Sequence, residues 1–385
     1  MRRRPFLQSL AKVAVTLGTP LAGMGTRLLS LEERGVAVFL PLSLPRSPES
    51  SEKIVEKTPV IKILGVGGAG GRAAELMIRQ AQLKGVQFVT IDTAEGALSR
   101  SSAATKIRLG SPLGDGIRSE SGGLTFQSDE CSRIASALHG ADMVIIIAGM
   151  GGGTATLAAP VIAAIAQEQN SLTLALVTQP TIVEGQKCKA LANQGISNLL
   201  QHVDSMVIVD NEEMLSELKE WGEPVTLQDT FTASDRVLHR QLRDIVDIVN
   251  NPSLVSVTFA DIDASFRKSG RALTGNAGPS VAVDDEGRVD SIRTANCCAI
   301  DAIPQLELQG VGLLDARKIV VSIRGDASLG MDEVSAVLRY ISTRASPHAS
   351  IIVGTVYTDI LKDFFSVSVT ATDFPGQGPG QQVPI

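Results

Sequence analysis

Met143-Val144-Ile145-Ile146-Ile147-Ala148-Gly149-Met150-Gly151-Gly152-Gly153-Thr154 decides how this chain reads. An aliphatic strand over Met143–Ile147 runs into a glycine cluster, and a helix containing Pro160 follows over Ala155–Glu168. Glycines at such a junction let backbone approach an anion, and the helix N-terminus adds unpaired N–H groups and positive potential. A second stretch repeats the pattern upstream. Val60–Val66 is a short apolar run, Gly65-Val66-Gly67-Gly68-Ala69-Gly70-Gly71 is the loop, and Ala73, Leu76, Met77 and Leu83 recur at helical spacing up to Lys84. Two cradles on one sheet suit a polyphosphate, and Thr154 can add a hydroxyl. Neither cluster continues Gly-Lys-Ser/Thr, so the Walker-type phosphate loop is absent.

The rest of the chain agrees with a globular protein. It has 385 residues, 35 Lys+Arg against 41 Asp+Glu for a net charge of −6, and 44% hydrophobic residues. Such a length suits about two domains of roughly 100–200 residues each. The acidic balance argues against a broad nucleic-acid footprint. Four cysteines, with Cys297 and Cys298 adjacent and Cys131 and Cys188 isolated, fit neither metal-ligand nor disulfide-framework spacing, and no metal ligands are assigned. The longest uncharged apolar stretch, Leu157–Ala166, is about half of the ~20 residues that a membrane-spanning helix needs.

Strands and helices alternate at the spacing of a parallel sheet covered on both faces, with further strands at Val86–Ile91, Leu172–Val177 and Met206–Val209. A long helix over Asp229–Val249 carries apolar residues at Phe231, Val237, Leu238, Leu242, Ile245 and Ile248. Beyond it, strands at Ser280–Val283, Lys318–Ile323, Ser350–Val356 and Ser366–Thr370 with a helix at Met331–Thr343 indicate a second, smaller α/β domain. The expected divisions are an N-terminal extension and linker over 1–57, a nucleotide domain over 58–250, a C-terminal domain over 251–374 and a tail over 375–385. Both ends read as disordered. The extension begins Met1-Arg2-Arg3-Arg4 and holds no acid before Glu32, a pattern shared by transit peptides and membrane-surface anchors.

Taken alone, Gly65-x-Gly67-x-x-Gly70 also fits a dinucleotide fingerprint, with Asp92 roughly 20 residues on as the ribose-binding acid, so an NAD-binding oxidoreductase is an alternative. The second cluster separates the readings. Ile61 to Gly70, Gly140-Ala141-Asp142-Met143-Val144 through Thr154, and Asp204 to Asn211 together resemble the FtsZ family, bacterial relatives of tubulin, over about Val60 to Phe374. The resemblance implies a tubulin/FtsZ-like α/β fold with a central long helix, and a GTPase that assembles head to tail into protofilaments at the division site. GTP or GDP is the implied ligand, Mg2+ the candidate cation, and the chain itself the principal partner, alongside other division proteins. The implied place is the cytoplasm at the division site, with a plastid as the alternative if the extension is a transit peptide. By position, Gly67, Gly68 and Gly71 match the first phosphate loop, and Gly149, Gly151, Gly152, Gly153 and Thr154 match the signature loop. Glu184 matches the ribose-contacting acid, Asn211 the polar residue near sugar and base, Phe231 the aromatic beside guanine, and Asp235 the guanine-reading carboxylate. A carboxylate accepts both donors of guanine's Watson–Crick edge, which adenine cannot offer.

Departures from the family pattern bear on catalysis. The signature continues Ala155-Thr156-Leu157 instead of Gly-Thr-Gly, and a loop that should reach the terminal phosphate reads Ile117 to Gly123, with Arg118 and Ser121 as candidate replacements. Cys188, between Lys187 and Lys189, stands where the family has an arginine. The catalytic loop, Asn-x-Asp-Phe-Ala-Asp in the family, is Ser256-Val257-Thr258-Phe259-Ala260-Asp261, so Asp261 alone keeps its carboxylate. Nucleotide binding is therefore expected to be better kept than hydrolysis, with a static, hydrolysis-deficient paralogue as the weaker alternative. The family's C-terminal recruiting peptide has no match in Pro375–Ile385, and the basic N-terminus is a candidate for direct contact with the membrane surface.

Overall fold

The computed structural model describes residues 27–31, 36–40, 58–80, 85–110, 126–220, 226–250, 257–280, 291–307, 312–326, 329–358 and 365–376. In chain order the elements are β1 (Arg27–Leu31), β2 (Val36–Leu40), β3 (Ile61–Val66), α1 (Gly67–Gln80), β4 (Val86–Asp92), α2 (Glu95–Arg100), β5 (Thr105–Arg108), α3 (Ser128–Leu138) and β6 (Met143–Gly149). There follow α4 (Gly153–Glu168), β7 (Leu172–Gln179), α5 (Gln186–Leu200), β8 (Ser205–Asp210), α6 (Asn211–Glu220), α7 (Leu227–Asn250), α8 (Phe259–Phe266) and β9 (Gly270–Ser280). The last are α9 (Ser291–Glu307), β10 (Lys318–Gly325), α10 (Met331–Ser342), β11 (Ser350–Tyr357) and β12 (Phe365–Thr372).

Two compact units result. The nucleotide unit comprises Glu56–Asn250, Phe266–Leu273 and Thr372–Ile385, and the other comprises Met1–Val55, Asn251–Ser265 and Thr274–Ala371. The sequence reading cut the chain once near 250; the segment Phe266–Leu273 instead returns to the nucleotide unit, where Ser205 to Val207 of β8 pair with Gly270 to Ala272.

The sheet of the nucleotide unit runs β5-β4-β3-β6-β7-β8-β9, and its pairings are parallel. Every residue of β3 is buried, as expected of a strand covered on both faces. Leu64, Val66, Val144 and Ile146 belong to a core that includes Ile134 and Leu138 of α3, Ala158 and Ile162 of α4, and Ile196 and Leu199 of α5. On the unit's other helices, α1 packs on β3, β4 and β6, and α7 packs on α1, α6, β7 and β8. Strand starts are held by polar groups. Lys62 of β3 is buried and donates Nζ to Ala137 O and His139 O (2.7 and 2.8 Å), closing the C-terminal end of α3 with a cation. Burial pushes its ammonium below the usual lysine range.

The strand order turns at β3, because β4 leads to one edge of the sheet and β6 to the other. Register aligns Ile61 with Met143 and Val66 with Ala148, so the loops after β3 and β6 leave the sheet side by side. Neighbouring strands lie about 4.8 Å apart, and this crevice beyond the carboxyl ends is where doubly wound sheets bind ligands. Gly70 makes the close approach possible: a side-chain carbon there would stand 2.1 Å from Ile147 O.

In the other unit, β10 and β11 pair in parallel from Lys318↔Ser350 to Gly325↔Tyr357. β1 and β2 form an antiparallel pair, and β2 adds to β11 at Val38 and Phe39. This corrects the expectation of a wholly disordered 1–57: the runs Arg27-Leu28-Leu29-Ser30-Leu31 and Val36-Ala37-Val38-Phe39-Leu40 carry the aliphatic and aromatic residues that suit strands. Of the strand expected at Ser280–Val283, Ser280 is the last residue of β9, and residues 281–290 lie outside the described residues, as do 377–385 of the tail.

Gly70→Ala should therefore lower stability by about 3 kcal/mol, because the added carbon meets backbone and not a yielding side chain. Urea denaturation followed by circular dichroism measures it, and a loss below about 1 kcal/mol would mean that α1 can shift away from β6.

Candidate nucleotide site

A cavity of about 270 Å³ lies at the carboxyl ends of β3, β6, β7 and β8. Gly67, Gly68, Gly149, Gly152, Gly153, Thr154, Glu184, Asn211, Phe231 and Asp235 line it, so ten of the sequence-predicted residues come together within one unit. The two glycine turns touch. A carbon added at Gly149 would stand 2.5 Å from Ala69 Cβ, and one added at Gly67 would stand 3.2 Å from Ala155 Cβ. Gly67 sits at φ +68°, a conformation in which any side chain is strained.

Both turns open helices whose first N–H groups lack intrahelical acceptors. α1 and α4 carry no acidic residue in the first turn, and Gly152, the N-cap of α4, makes no side-chain cap. Each helix end is worth roughly half a positive charge. Two such ends in one cavity call for an anion. Thr154 places a hydroxyl among them, 3.0 Å from Thr93 Oγ1. Polyphosphate chemistry fits this donor set.

Two predicted glycines sit elsewhere. Gly151 does not line the cavity; its N–H donates to Thr156 Oγ1 (2.9 Å) and its φ is +96°, with Cys188 Sγ 2.5 Å from where a side chain would begin. It shapes the turn from behind. Gly71 lines a neighbouring cavity of about 540 Å³ and not the first. The altered signature residues are accommodated: Ala155 is buried against Gly67, and Leu157 is not among the lining residues, so the space between the turns stays open.

The far end of the cavity holds the groups suited to a base. Asn211 is buried, and its Oδ1 accepts from Ser234 Oγ at 2.6 Å, leaving the amide N–H2 as its remaining hydrogen-bonding capacity. Phe231 stands one helical turn before Asp235 on α7. Burial pushes the Asp235 carboxyl up to about 6, against the opposing attraction of the Arg72 guanidinium. A carboxylate held in that range beside an aromatic ring, inside a cleft, has the electrostatics of a functional group.

Glu184 is only partly available. Its Oε1 accepts from Thr181 N (2.9 Å) and Thr181 Oγ1 (3.3 Å) in a reciprocal cap, which leaves Oε2 for a sugar hydroxyl. Cys188 also lines the cavity, its thiol pushed up by burial and by Glu184, whereas Lys187 and Lys189 do not line it. Asp92 ends β4 nearly buried, and its Oδ1 accepts from Ala94 N at 2.9 Å to start α2, so it lines only the neighbouring cavity. That engagement does not suit a ribose-binding acid. Asp261 belongs to the other unit and caps α8: its Oδ2 accepts from Thr258 N (2.9 Å) and Thr258 Oγ1 (2.7 Å). It is not among the lining residues. Arg118, Ser121, Ser256 and the basic run Arg2–Arg4 lie outside the described residues. Arg72, Thr178, Pro180 and Ser234 line the cavity and escaped the sequence reading, and Arg72 is the charged one among them. Arg72 falls on the exposed face of α1 and carries no motif signal, yet it lines both cavities.

Residues 60–219 match the model of the GTPase domain of the Tubulin/FtsZ family, and residues 281–375 match that of the FtsZ family's C-terminal domain. The cell division protein FtsZ of Pseudomonas putida is 37% identical over 322 residues, covering 83% of this chain and 77% of that protein. The corresponding protein of Pseudomonas aeruginosa is 36% identical over 335 residues, covering 86% and 80%. Among solved structures, an empty FtsZ dimer from M. jannaschii superposes with a TM-score of 0.70 at 29% identity, covering 85% of this chain and 92% of that one. The GTPγS-bound CetZ2 protofilament of Haloferax volcanii shares the fold, with a TM-score of 0.65 at 20% identity over 81% and 92%. The oxidoreductase alternative falls with these matches. Two glycine turns converging on one cavity, with sequence identity sustained across both units, establish that this chain belongs to the FtsZ family of tubulin-like GTPases.

Proposed function

We propose that this GTP-binding cytoskeletal protein of cell division holds GTP or GDP in the first cavity, self-assembles head to tail, and hydrolyses GTP slowly at a site that a second copy completes. The observation that carries the reading is the pair of helix N-termini, neither with an acidic residue in its first turn, that share one cavity with Asp235. The phosphates would take N–H groups of the turns at Gly67–Gly68 and Gly152–Thr154, the ribose would meet Glu184, and the base would lie by Phe231 with its donor edge on Asp235. Hydrolysis displaces GDP from the γ-phosphoryl group by water, which a carboxylate orients, and among the described residues none lines the cavity beside the two glycine turns. Asp261, capping α8 in the other unit, is the residue we assign to orient that water, supplied by the neighbouring copy. A loop with one carboxylate where the family has two supports slow turnover. Mg2+ would offset phosphate charge when bound. No group of three or more His, Cys, Asp or Glu among the described residues could hold a metal, so the donor set fits an ion carried mainly by phosphate oxygens and water.

Three measurements test this. Because Cys188 lines the cavity, GTP or GDP should slow its alkylation at pH 8.5 severalfold, while NAD should not. Cys131 and Cys297 serve as internal references in the same mass-spectrometric digest. Equal labelling with and without GTP would place the nucleotide elsewhere.

Asp235→Asn should remove the preference for GTP over ATP and also stabilise the nucleotide-free protein. The sign follows from the carboxyl's rise from 3.8 to about 6: the fold holds this proton more tightly than the unfolded chain does, so stability falls as pH rises from about 4 to about 6. The variant escapes that loss. Its advantage should be ~1 kcal/mol at pH 7.5, discounted for partial exposure, and should vanish below pH 4 in thermal melts.

Asp261→Asn should keep GTP affinity within about twofold while lowering phosphate release about 100-fold or more. In the parent protein, release should rise more steeply than linearly with protein concentration, as an intersubunit site requires. A variant that turns over at the parent rate would move the chemistry to another residue.

A further inference from the structure

Four residues line both the nucleotide cavity and the larger cavity beside it: Gly67, Gly68, Arg72 and Asp235. Two are the phosphate turn and two are charged. Arg72 leaves α1 on its exposed side and makes no ion pair within the described residues. A carbon added at Gly68 would stand 3.8 Å from Arg72 Nη1, so the guanidinium folds back over the first turn, toward the helix N-terminus, as helical side chains do. It therefore stands between the phosphate turn on α1 and the acid on α7. The helix end alone supplies positive potential at the turn. An additional cation there needs a further purpose, and Asp235 is the half-buried acid whose charge it favours.

We propose that Arg72 is a positioning and specificity-determining residue: facing Asp235 across the neck shared by the two cavities, it keeps that carboxylate ionised for guanine's donor edge and so sets the preference for GTP. This rests on the guanine-reading role proposed for Asp235. The chemistry requires it, since a protonated carboxyl offers a donor where guanine N1–H also donates. The other charged or titratable groups nearby are Glu184 and Cys188 in the first cavity, Glu75, Asp92, Arg79 and Arg100 in the second, and Arg236 and His239 on α7 itself. Among the three arginines of the second cavity, Arg79 is engaged by Glu75 at 2.8 Å, and Arg72 alone also lines the first cavity beside Asp235. Glu75 is further committed to Ser102 N and Ser102 Oγ, each at 2.7 Å, and holds no competing claim on Arg72.

The rival role for Arg72 is a phosphate clamp, and the two differ in what they discriminate. Equilibrium dialysis with GTP and ATP between pH 5.5 and 8.5 separates them, using the full chain as parent, Arg72→Gln, Arg72→Lys and Asp235→Asn. In the parent, GTP affinity should decline below about pH 6. In Arg72→Gln that decline should move up by about one pH unit, with GTP weakened about twofold at pH 7 and on the order of tenfold at pH 5.5, where ATP changes less than twofold. Arg72→Lys should restore both the midpoint and the affinity. Equal loss for GTP and ATP, with the pH midpoint unmoved, would make Arg72 a phosphate clamp and overturn the proposal. Asp235→Asn supplies the separate control. If it keeps the parent's preference for GTP, the guanine reading itself fails; if it loses that preference while Arg72→Gln keeps the parent midpoint, only the role of Arg72 fails.

Discussion

Parallel pairing of β3 with β6 is the constraint on which the site depends. The two glycine turns are far apart in sequence, and nothing local brings them together. Aligning Val66 with Ala148 does, because each strand then ejects its turn from the same edge at the spacing of one hydrogen-bonded ladder. Two helices start there with their positive ends together, an arrangement that repels itself unless an anion lies between. Close packing fixes the distance, since Gly70 admits Ile147 O and Gly149 admits Ala69, and neither could be larger without separating the turns. The same pairing explains why the changed signature residues do little harm. Ala155 spends its methyl group against Gly67, and Thr156 uses its hydroxyl to hold Gly151.

The opposite end of the cavity works by the reverse principle, an acid placed where burial resists its charge. Folding forces Asp235 toward the neutral form, and a guanine ring offers two donors to the charged form. If Asp235 reads guanine as proposed, the free protein carries a cost that a matched ligand removes and a ligand without those donors does not. Selectivity is then a difference between two penalties more than the strength of one bond. In the role proposed for it, Arg72 tunes the size of that difference from the side, and a residue outside every motif then matters to a motif residue.

The sequence made the repeating architecture legible because the central strands β3, β6 and β7 are buried on both faces and read as largely aliphatic runs. Ile61–Val66, Met143–Gly149 and Leu172–Gln179 announce themselves in this way. β9 does not. Gly270-Arg271-Ala272-Leu273-Thr274-Gly275-Asn276-Ala277-Gly278-Pro279-Ser280 has the composition of a loop, and it is a strand because Gly275 lets α9 approach to Ala302 O, where a side-chain carbon would stand 1.9 Å away. That reason is tertiary and leaves no periodic trace. Capping is likewise illegible in the sequence: Glu184 matches a ribose-contacting position and Asp261 a catalytic one, yet each spends an oxygen on the N-terminus of its own short helix. Arg72 was invisible for the simplest reason, since an arginine on an exposed helix face looks like solvation until the helix across from it is known.

In the role proposed for Asp261, the coupling of turnover to assembly becomes a matter of geometry. Its carboxylate is oriented by Thr258, which supplies both an N–H and a hydroxyl to one oxygen and leaves the other uncommitted by the cap. A side chain fixed in this way is preorganised, and it is presented by a unit other than the one that holds the phosphates. Phosphoryl transfer depends on positioning and electrostatics more than on covalent participation by the protein. On the proposed reading, with one carboxylate in the loop, water orientation rests on a single fixed oxygen, which lowers the rate without weakening binding. Binding on that reading rests on backbone N–H groups and a half-buried acid within one unit, and tolerates the loss of the second carboxylate. Hydrolysis does not, and the separation of the two functions follows from where the donors and the acids are placed.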